Sequence, residues 1–293
     1  MKVWIINSFV YEGQGGNPAG VVLDLDHALS DSEMQAVAKE VGLSETAFIS
    51  TGTDGADFNL RFFTPTDEVP LCGHATIASF WHLTKLGLLT SDTCMQNTKA
   101  GLLSISISKN EADDITVTMA QTTPIIVKQR LTFDEAFMAS FPNAIVDSML
   151  PIDIWSTGLE DVFLPIASRS ALNQLNFNSE NLTVLSRDLQ VVGVHAFTYE
   201  NGQVYARNFA PLYGIDEESA TGTSNGALTA YLHHYLHPDE PKLELRILQG
   251  ESMGETSAIY TSSEKGLAGL IIHVGGRCAY RGELDVNGNC IIS

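Results

Sequence analysis

One glutamate stands in a stretch of otherwise apolar or small residues, and its type suits proton transfer. Glu45 lies within Leu43–Ile49, where its neighbours are Ser44 and Thr46. A carboxylate in such surroundings pairs with another group, points outward, or is held in readiness to exchange a proton. We therefore treat Glu45 as a candidate general acid/base, with an outward-pointing surface carboxylate as the alternative.

A histidine two residues after a cysteine opens a predicted helix. His74 follows Cys72 and Gly73. The N-terminus of a helix carries partial positive charge and disfavours an imidazolium, so a neutral His74 can donate a hydrogen bond or shuttle a proton. A packed or capping histidine is the alternative interpretation.

Two glycine-led turns precede predicted buried helices, at Gly73–Thr76 and at Gly222–Gly226. The first turn of a helix presents free backbone amides, which bind anions such as a carboxylate. We predict that both turns bind one carboxylate. The alternative is that the glycines only permit tight turns.

The sequence carries a weak metal signal. His233 and His237 are four residues apart on one predicted helix, but near its C-terminal end, where surface histidines are common. None of the four cysteines is paired at CxxC spacing. A two-thiol racemase would need a second cysteine equivalent to Cys72, and that position is Thr221. We therefore predict no metal, and we interpret Cys72 as a small buried residue.

The elements that must position these residues repeat along the chain. An apolar strand ending in Phe-x-Pro, an acidic loop and a glycine that opens a helix occur in Leu60–Ala75 and again in Tyr205–Thr223. From Gly73 to Gly222 the offset is 222 − 73 = 149 residues. A repeat this long predicts two similar domains with a cleft between them, a common place for a ligand.

Hydrophobic periodicity and capping residues predict the secondary structure. Ser30 and Glu33 form a capping box for a helix that ends at Gly42, and Thr132 with Glu135 is expected to cap another helix. Two apolar helices and several short strands complete the pattern. The helices are His74–Leu88 and Thr223–Leu236, and the strands are Ser44–Ser50, Leu60–Phe63, Leu102–Ser108, Ile115–Met119, Leu243–Gln249, Ser257–Thr261 and Leu270–Val274. With one or two helices per half, the fold class is α/β (α+β), each half a barrel-like sheet around a central helix, rather than a doubly wound sheet.

Charge and composition restrict the partners. The 293 residues include 16 basic and 35 acidic ones, for a formal charge of −19. That charge argues against nucleic acid and against anionic membrane surfaces. No apolar run approaches the length of a membrane span, and no targeting segment is visible, so we expect a cytoplasmic protein.

Four motifs together resemble one family. They are Gly16–Val21, Ser44–Phe48, Phe63–Thr76 and Ala220–Thr223. In this combination the chain resembles the PhzF-like phenazine-biosynthesis family, relatives of diaminopimelate epimerase, over essentially its whole length. The best-known activity of that family is the isomerisation of trans-2,3-dihydro-3-hydroxyanthranilate.

The resemblance implies a fold and an assembly. It implies two pseudo-symmetric domains, residues 1–122 with 281–293 and residues 123–280, with a C-terminal strand that returns to the first domain near Arg281. It also implies a homodimer, a cofactor-independent reaction and a small carboxylate substrate.

The resemblance also assigns residues. The family's catalytic glutamate falls on Glu45 and its histidine after Cys-Gly falls on His74. Where the family commonly has Asp-Pro-Ala-Thr-Gly-Ser, this chain has Glu218 in place of the aspartate and Thr223 in place of the serine. Glu218 is accordingly expected to orient polar groups of the substrate during catalysis.

Substrate binding is expected at Asn17, Gly73, Gly222 and Thr223. Two other functions stay open on the sequence. One is an amino-acid epimerase or racemase with a base on each face of the substrate, and the other is a non-catalytic protein that binds small carboxylates.

Overall fold

The computed structural model describes residues 1–89, 91–111, 114–267, 269–286 and, as backbone, 289–291. The chain divides into two compact units. The N-terminal unit comprises Met1–Ala120 and Gly275–Ser293, and the C-terminal unit comprises Gln121–Val274. Among the described residues, no helix is long and apolar enough to span a bilayer.

Where the structure describes the N-terminal unit, two α-helices and most of the strands lie before residue 121. In chain order they are β1 (Lys2–Ser8), β2 (Asn17–Leu23), α1 (Asp31–Val41), β3 (Thr46–Thr51), β4 (Phe58–Phe63), β5 (Glu68–Val69), α2 (Gly73–Lys85), β6 (Thr93–Thr98), β7 (Gly101–Lys109) and β8 (Ile115–Ala120).

The described part of the C-terminal unit contains four α-helices and two 3₁₀ turns, at Pro211–Tyr213 and Glu251–Met253. Its elements are β9 (Ile125–Leu131), α3 (Glu135–Ser140), β10 (Ile152–Ser156), β11 (Glu160–Pro165), α4 (Arg169–Asn173), α5 (Ser179–Leu189), β12 (Gly193–Glu200), β13 (Gln203–Ala210), β14 (Ile215–Glu218), α6 (Gly222–Leu236), β15 (Lys242–Gln249) and β16 (Ser257–Gly266). The chain ends with the long strand β17 (Gly269–Asp285) and with β18 (Asn289–Ile291).

Eight strands of the N-terminal unit close into a barrel. The pairing runs β1, β2, β3, β4, β6, β7, β8 and β17, and β17 pairs again with β1. Helix α2 packs against five of these strands, and its residues from Ala75 to Leu83 are all buried. A helix that is apolar all round needs such an enclosed position. The α/β fold class predicted from the sequence is therefore confirmed.

The C-terminal unit repeats this topology. Its strands pair in the order β9, β10, β11, β12, β13, β15 and β16, with the same alternation of parallel and antiparallel neighbours from β10 to β16 as from β1 to β7. Helix α6 contacts β10, β15 and β16, and is buried from Ser224 to His233.

The prediction of one or two helices per half is wrong for this unit, where α3, α4 and α5 accompany α6. These three short helices bury Phe137, Leu172, Leu182 and Leu185 in a second core outside α6. Helices α3 and α4 are only six and five residues long, too short to leave a clear periodic signal in the sequence.

The chain returns to the N-terminal unit at Gly275. The sequence analysis placed this return near Arg281, six residues later. The strand itself gives no sign of a boundary, because β17 continues through it. Gly275 and Gly276 pass very close to their neighbours: a Cβ would lie 2.5 Å from Thr118 Oγ1 at the first position and 2.5 Å from a ring carbon of Phe9 at the second. Only glycine fits this approach, so the Gly-Gly pair fixes the place of return.

The helix caps agree with the sequence in one case and not in another. The capping box of Ser30 and Glu33 is present, and α1 ends at Gly42 with φ 68°. The cap assigned to Thr132 is wrong. Asp134 caps α3 instead, accepting from the backbone amides two and three residues later at 3.1 and 3.3 Å. An aspartate immediately before the first helical residue has the geometry of an N-cap.

Candidate functional site

The N-terminus of α2 has no side-chain cap. Its N-cap residue, Cys72, makes no side-chain capping hydrogen bond, so the first amides of the helix lack that partner. Gly73 does not have positive φ, and a Cβ there would meet only Met119 Sδ, at 3.8 Å. The fold would therefore accept alanine at this position. A tight turn does not explain Gly73, whereas close approach of a ligand to the backbone does.

Glu45 lies directly before β3 and turns towards this helix end. Its backbone carbonyl accepts a hydrogen bond from Gly20 N at 3.1 Å, which ties the segment to β2. Its side chain is 21% exposed, and Oε2 lies 3.3 Å from His74 Nε2. Oε2 is buried and has no hydrogen bond with another described residue. The carboxylate is thus not the outward-pointing surface group of the alternative interpretation.

His74 sits in the first turn of α2 as a neutral ring. Burial lowers its pKa below the usual value, and this outweighs the opposing effects of the Glu45 carboxylate and of a hydrogen bond with the backbone of Pro18. Proline has no N–H, so the ring must donate to its carbonyl. The backbone carbonyl of His74 accepts from Ser8 Oγ at 2.7 Å, which fixes this turn.

Cys72 completes the group. Its Sγ lies 3.4 Å from Nδ1 and 3.9 Å from Nε2 of His74. One donor atom each from Glu45, Cys72 and His74 lies within 4.8 Å of the others. Asn17, at the start of β2, is buried and precedes the proline that accepts from His74. The N-terminal unit therefore brings together four residues that the sequence singled out.

The N-terminus of α6 has a different character. Thr221 is its N-cap and does not cap the helix with its side chain, because Oγ1 donates to Glu218 Oε2 at 2.6 Å. Gly222 also lacks positive φ. The carbonyl of Thr223 accepts from Thr157 Oγ1 at 3.0 Å. Glu218, Gly222 and Thr223 thus lie at one helix end of the C-terminal unit, with Glu218 held by a local hydrogen bond.

A buried amide network supports Glu218. Gln249, which is fully buried, donates from Nε2 to the Glu218 carbonyl at 2.7 Å, and its Oε1 accepts from Asn225 Nδ2 at 2.7 Å. Asn225 in turn lies 3.1 Å from Nε2 of His195, whose Nδ1 lies 2.9 Å from Asn208. Burial lowers the pKa of His195 to about 4. Sequence analysis missed Gln249 because it lies far from the motif, at the end of a strand that pairs with β13.

A buried carboxyl also escaped the sequence analysis. Asp161 on β11 accepts from Ser224 Oγ at 2.6 Å, and its Oδ1 is buried without a partner among the described residues. Burial raises the pKa of Asp161 to about 6, against the effect of its hydrogen bonds with Ser224 and the Gly193 amide. Its neighbours in sequence are the weakest part of the repeat, so no motif marked it.

Near the end of α6, the His233 ring is held by two contacts within the unit. Nδ1 of His233 is 2.5 Å from Ser263 Oγ, and its Nε2 is 2.9 Å from the Glu240 carbonyl. Both ring nitrogens are engaged. Among the residues that the structure describes, Glu45, Cys72 and His74 form the one cluster of metal-ligand type.

Comparison with known proteins gives one consistent family. The model of the family described as phenazine biosynthesis-like protein matches residues 6–280. An uncharacterized isomerase of Clostridium acetobutylicum is 36% identical over 275 residues, covering 88% of each chain. The trans-2,3-dihydro-3-hydroxyanthranilate isomerase of Pseudomonas aeruginosa is 29% identical over 262 residues, covering 89% of each. The crystal structure of a PhzF family protein from Bacillus anthracis matches with a TM-score of 0.87 and 29% identity, covering 97% of this chain and 98% of that one.

Proposed function

The chain belongs to the phenazine biosynthesis-like family and is an isomerase, and we propose that it moves a proton between carbons of a small carboxylate, with Glu45 as acid/base. The observation that carries the proposal is the buried Glu45 Oε2, which has no hydrogen bond within the described protein and lies beside a neutral histidine. An oxygen in this state is available to accept a proton from a bound substrate.

In the proposed reaction the Glu45 carboxylate removes a proton from one carbon of a conjugated substrate. The electron pair left behind is delocalised over the conjugated system. The Glu45 carboxyl then returns the proton to a different carbon, so that the enzyme ends in its starting state. Neutral His74 donates or accepts a hydrogen bond at the substrate's polar group, and Glu218 orients an amino or hydroxyl group.

We assign substrate binding to Gly73, Gly222, Thr223 and Asn17. The amides at the two glycine-led helix ends suit a carboxylate. Neither glycine has the positive φ that would make glycine necessary for the turn alone. A relative's substrate, trans-2,3-dihydro-3-hydroxyanthranilate, has the required carboxylate and conjugation and is the first candidate. The longer Glu218 and bulkier Thr223 are expected to alter which related carboxylate is preferred.

Two observations weigh against the other functions. A racemase with two thiols would need a base at Thr221, but this hydroxyl is committed to Glu218. A protein that only binds carboxylates would not need a buried, unbonded carboxylate oxygen beside His74, because its desolvation costs free energy.

The test is proton NMR in D₂O with trans-2,3-dihydro-3-hydroxyanthranilate. The wild type is expected to isomerise it with incorporation of deuterium. Glu45→Gln keeps the shape and removes the proton relay, and should lower turnover by roughly 10²–10⁴-fold. Glu40→Gln, an exposed glutamate on α1, is the matched control and should behave as wild type.

Near-wild-type turnover by Glu45→Gln would contradict the assignment of the base. Binding of the substrate without isomerisation or proton exchange in the wild type would favour the non-catalytic function. The homodimer and the cytoplasmic location implied by the sequence stay predictions, and light scattering of the purified chain tests the first of them.

A further inference from the structure

We propose that Glu45, Cys72 and His74 form a binding site for a thiophilic divalent cation of the Zn²⁺ type, which inhibits the enzyme reversibly. The inhibition rests on the function proposed above, because it requires Glu45 to be the acid/base. The binding does not, because it depends only on the three donor atoms.

The donors match zinc in type and spacing. Zn²⁺ is held by thiolate, imidazole and carboxylate in tetrahedral sites, which places the donor atoms roughly 3.4–3.6 Å apart. His74 Nε2 lies 3.3 Å from Glu45 Oε2 and 3.9 Å from Cys72 Sγ. The Glu45–His74 spacing suits one ion as it stands, whereas Cys72 Sγ lies nearer Nδ1, at 3.4 Å, so the Cys72 side chain must rotate to bring Sγ onto an ion at Nε2. The fourth tetrahedral position would be open to water or to a substrate carboxylate.

The surroundings of His74 also suit a metal ligand. A metal-bound imidazole usually donates its other N–H to a backbone carbonyl or a carboxylate, which fixes the ring. The Pro18 carbonyl already accepts a hydrogen bond from His74. The Ser8 hydroxyl holds the backbone of the same turn. The ring is therefore oriented before any ion arrives.

Charge sets the selectivity. A thiolate and a carboxylate together neutralise the two charges of the ion. Without such anionic ligands, the partial positive charge at the N-terminus of α2 would disfavour a bound cation. Mg²⁺ prefers oxygen ligands and should bind poorly, while Zn²⁺ and Co²⁺ accept sulfur and nitrogen. A bound ion would occupy Glu45 Oε2 and prevent it from taking a proton.

Binding is measured first, without substrate. The fully reduced protein is titrated with Co²⁺, and the thiolate-to-cobalt charge-transfer absorption is followed, then displaced with Zn²⁺. The matched variants are Cys72→Ser and Cys94→Ser, the latter removing a buried thiol on β6 that contacts the Ser91 carbonyl at 3.6 Å. We expect the absorption and tight Zn²⁺ binding in the wild type and in Cys94→Ser. Cys72→Ser should lose the absorption and weaken Zn²⁺ binding at least about tenfold.

Inhibition is measured next, on the isomerase reaction. Because Cys72 contacts His74, each variant is compared with its own turnover in the absence of metal, and Cys72→Ser should require at least about tenfold more Zn²⁺ for half inhibition. A chelator should restore wild-type activity, and Mg²⁺ should not inhibit. Glu45→Gln, which removes a second donor, serves as an independent binding variant should Cys72→Ser unfold.

The outcomes separate the two proposals. Equal Zn²⁺ affinity in the wild type and in folded Cys72→Ser and Glu45→Gln would overturn the metal site, whatever the activity. Binding that depends on Cys72 and Glu45, in an enzyme that does not turn over the tested substrate, would support the site and contradict the substrate proposal. Binding that leaves turnover unaffected would overturn the inhibition.

Discussion

The two units share a topology, but the glutamates beside the N-termini of their central helices are hydrogen-bonded differently. At α2, Glu45 Oε2 is buried without a hydrogen bond within the described protein and stands beside His74. At α6, Glu218 is held by Thr221 Oγ1 at 2.6 Å, and Gln249 holds the backbone of the same loop at 2.7 Å. The first arrangement leaves a carboxylate free to react, and the second fixes one in place.

Two pairs of buried positions, equivalent in the repeat, differ in the same way. At an offset of 149 residues, Thr46 corresponds to His195 and Thr76 to Asn225. Both threonine hydroxyls are buried without a partner in the described protein, whereas His195 and Asn225 bond to each other. A connected polar network rigidifies its surroundings. Under the function proposed above, Glu218 would position the substrate and Glu45 would transfer the proton.

Each unit also contains an arginine–glutamate pair of the same geometry. Arg61 binds Glu68 through two hydrogen bonds at 2.9 and 2.7 Å, and Arg207 binds Glu217 in the same manner at 2.8 and 2.7 Å. Each guanidinium also stands about 5 Å over the phenylalanine two residues later, at 5.1 and 4.9 Å. The pairs differ in burial: the Arg61 side chain is 31% exposed and the Arg207 side chain 7%.

The largest expected change in stability is that of Arg207→Met. It would leave Glu217 without its guanidinium partner, with only the Ser252 hydroxyl still donating to it, and would also remove the donor to the carbonyls of Leu172 and Leu175, at a cost of about 3–5 kcal/mol in the free energy of unfolding. Urea denaturation of the purified variant measures this cost.

Arg61→Met is the matched variant in the other unit. Glu68 keeps Lys99 at 2.6 Å, and the arginine is partly solvated, so the expected cost is about 1 kcal/mol or less. Equal losses in the free energy of unfolding for the two variants would mean that burial does not make the Arg207–Glu217 pair more important for stability than the Arg61–Glu68 pair.

A smaller effect, dependent on pH, is expected inside the C-terminal unit. Asp161 has a folded pKa of about 6 against 3.8, so its contribution to stability is present below pH 3.8 and is lost as the pH rises through about 6. His195 has a folded pKa of about 4 against 6.5, so its contribution is present above pH 6.5 and is lost as the pH falls through about 4. Each contribution is about 3 kcal/mol, and the two oppose each other.

Asp161→Asn is therefore expected to steepen the dependence of stability on pH. Between about pH 4 and 6.5 the free energy of unfolding of the variant should rise with pH by up to about 3 kcal/mol more than that of the wild type. Urea denaturation at several pH values gives the slopes, and Asp188→Asn, at an exposed position on α5, is the control. Parallel curves for Asp161→Asn and wild type would show that the carboxyl is already ionised in the folded protein.

The sequence reveals what depends on neighbouring residues and misses what depends on distant ones. The capping box at Ser30 and the stop at Gly42 were predictable because both are local. The network of Gln249 was not, because its partner Asn225 is 24 residues away and the contact arises only when β15 pairs with β13. The Gly-Gly crossing at Gly275 was missed for the same reason, since its close contacts come from β8 and from the loop after β1.

The same reasoning extends to the pairing of Glu45 with His74. The resemblance to a family named both residues but gave no distance between them. The 3.3 Å separation follows from the way α2 and the start of β3 meet in the barrel. Their roles as acid/base and hydrogen-bonding partner stay predictions for the NMR experiment.

The last comparison concerns two fully buried glutamines, one in each unit. Gln249 uses both ends of its amide, whereas neither amide atom of Gln96 on β6 has a partner in the described protein. Replacing Gln249 by methionine, which has a similar shape, leaves the Glu218 carbonyl without its donor and should cost about 1–3 kcal/mol. Gln96→Met removes an unpaired buried polar group and should be neutral or stabilising by up to about 1 kcal/mol.

Kinetics of the same two variants decide whether the difference between the units concerns function as well as stability. If the network of Gln249 positions the substrate through Glu218, Gln249→Met should raise KM more than it lowers kcat, because it disturbs a binding contact and leaves Glu45 intact. Gln96→Met should leave both constants unchanged. A fall in kcat alone in Gln249→Met would place the C-terminal unit in the proton-transfer step itself, and the division between positioning and chemistry would then be wrong.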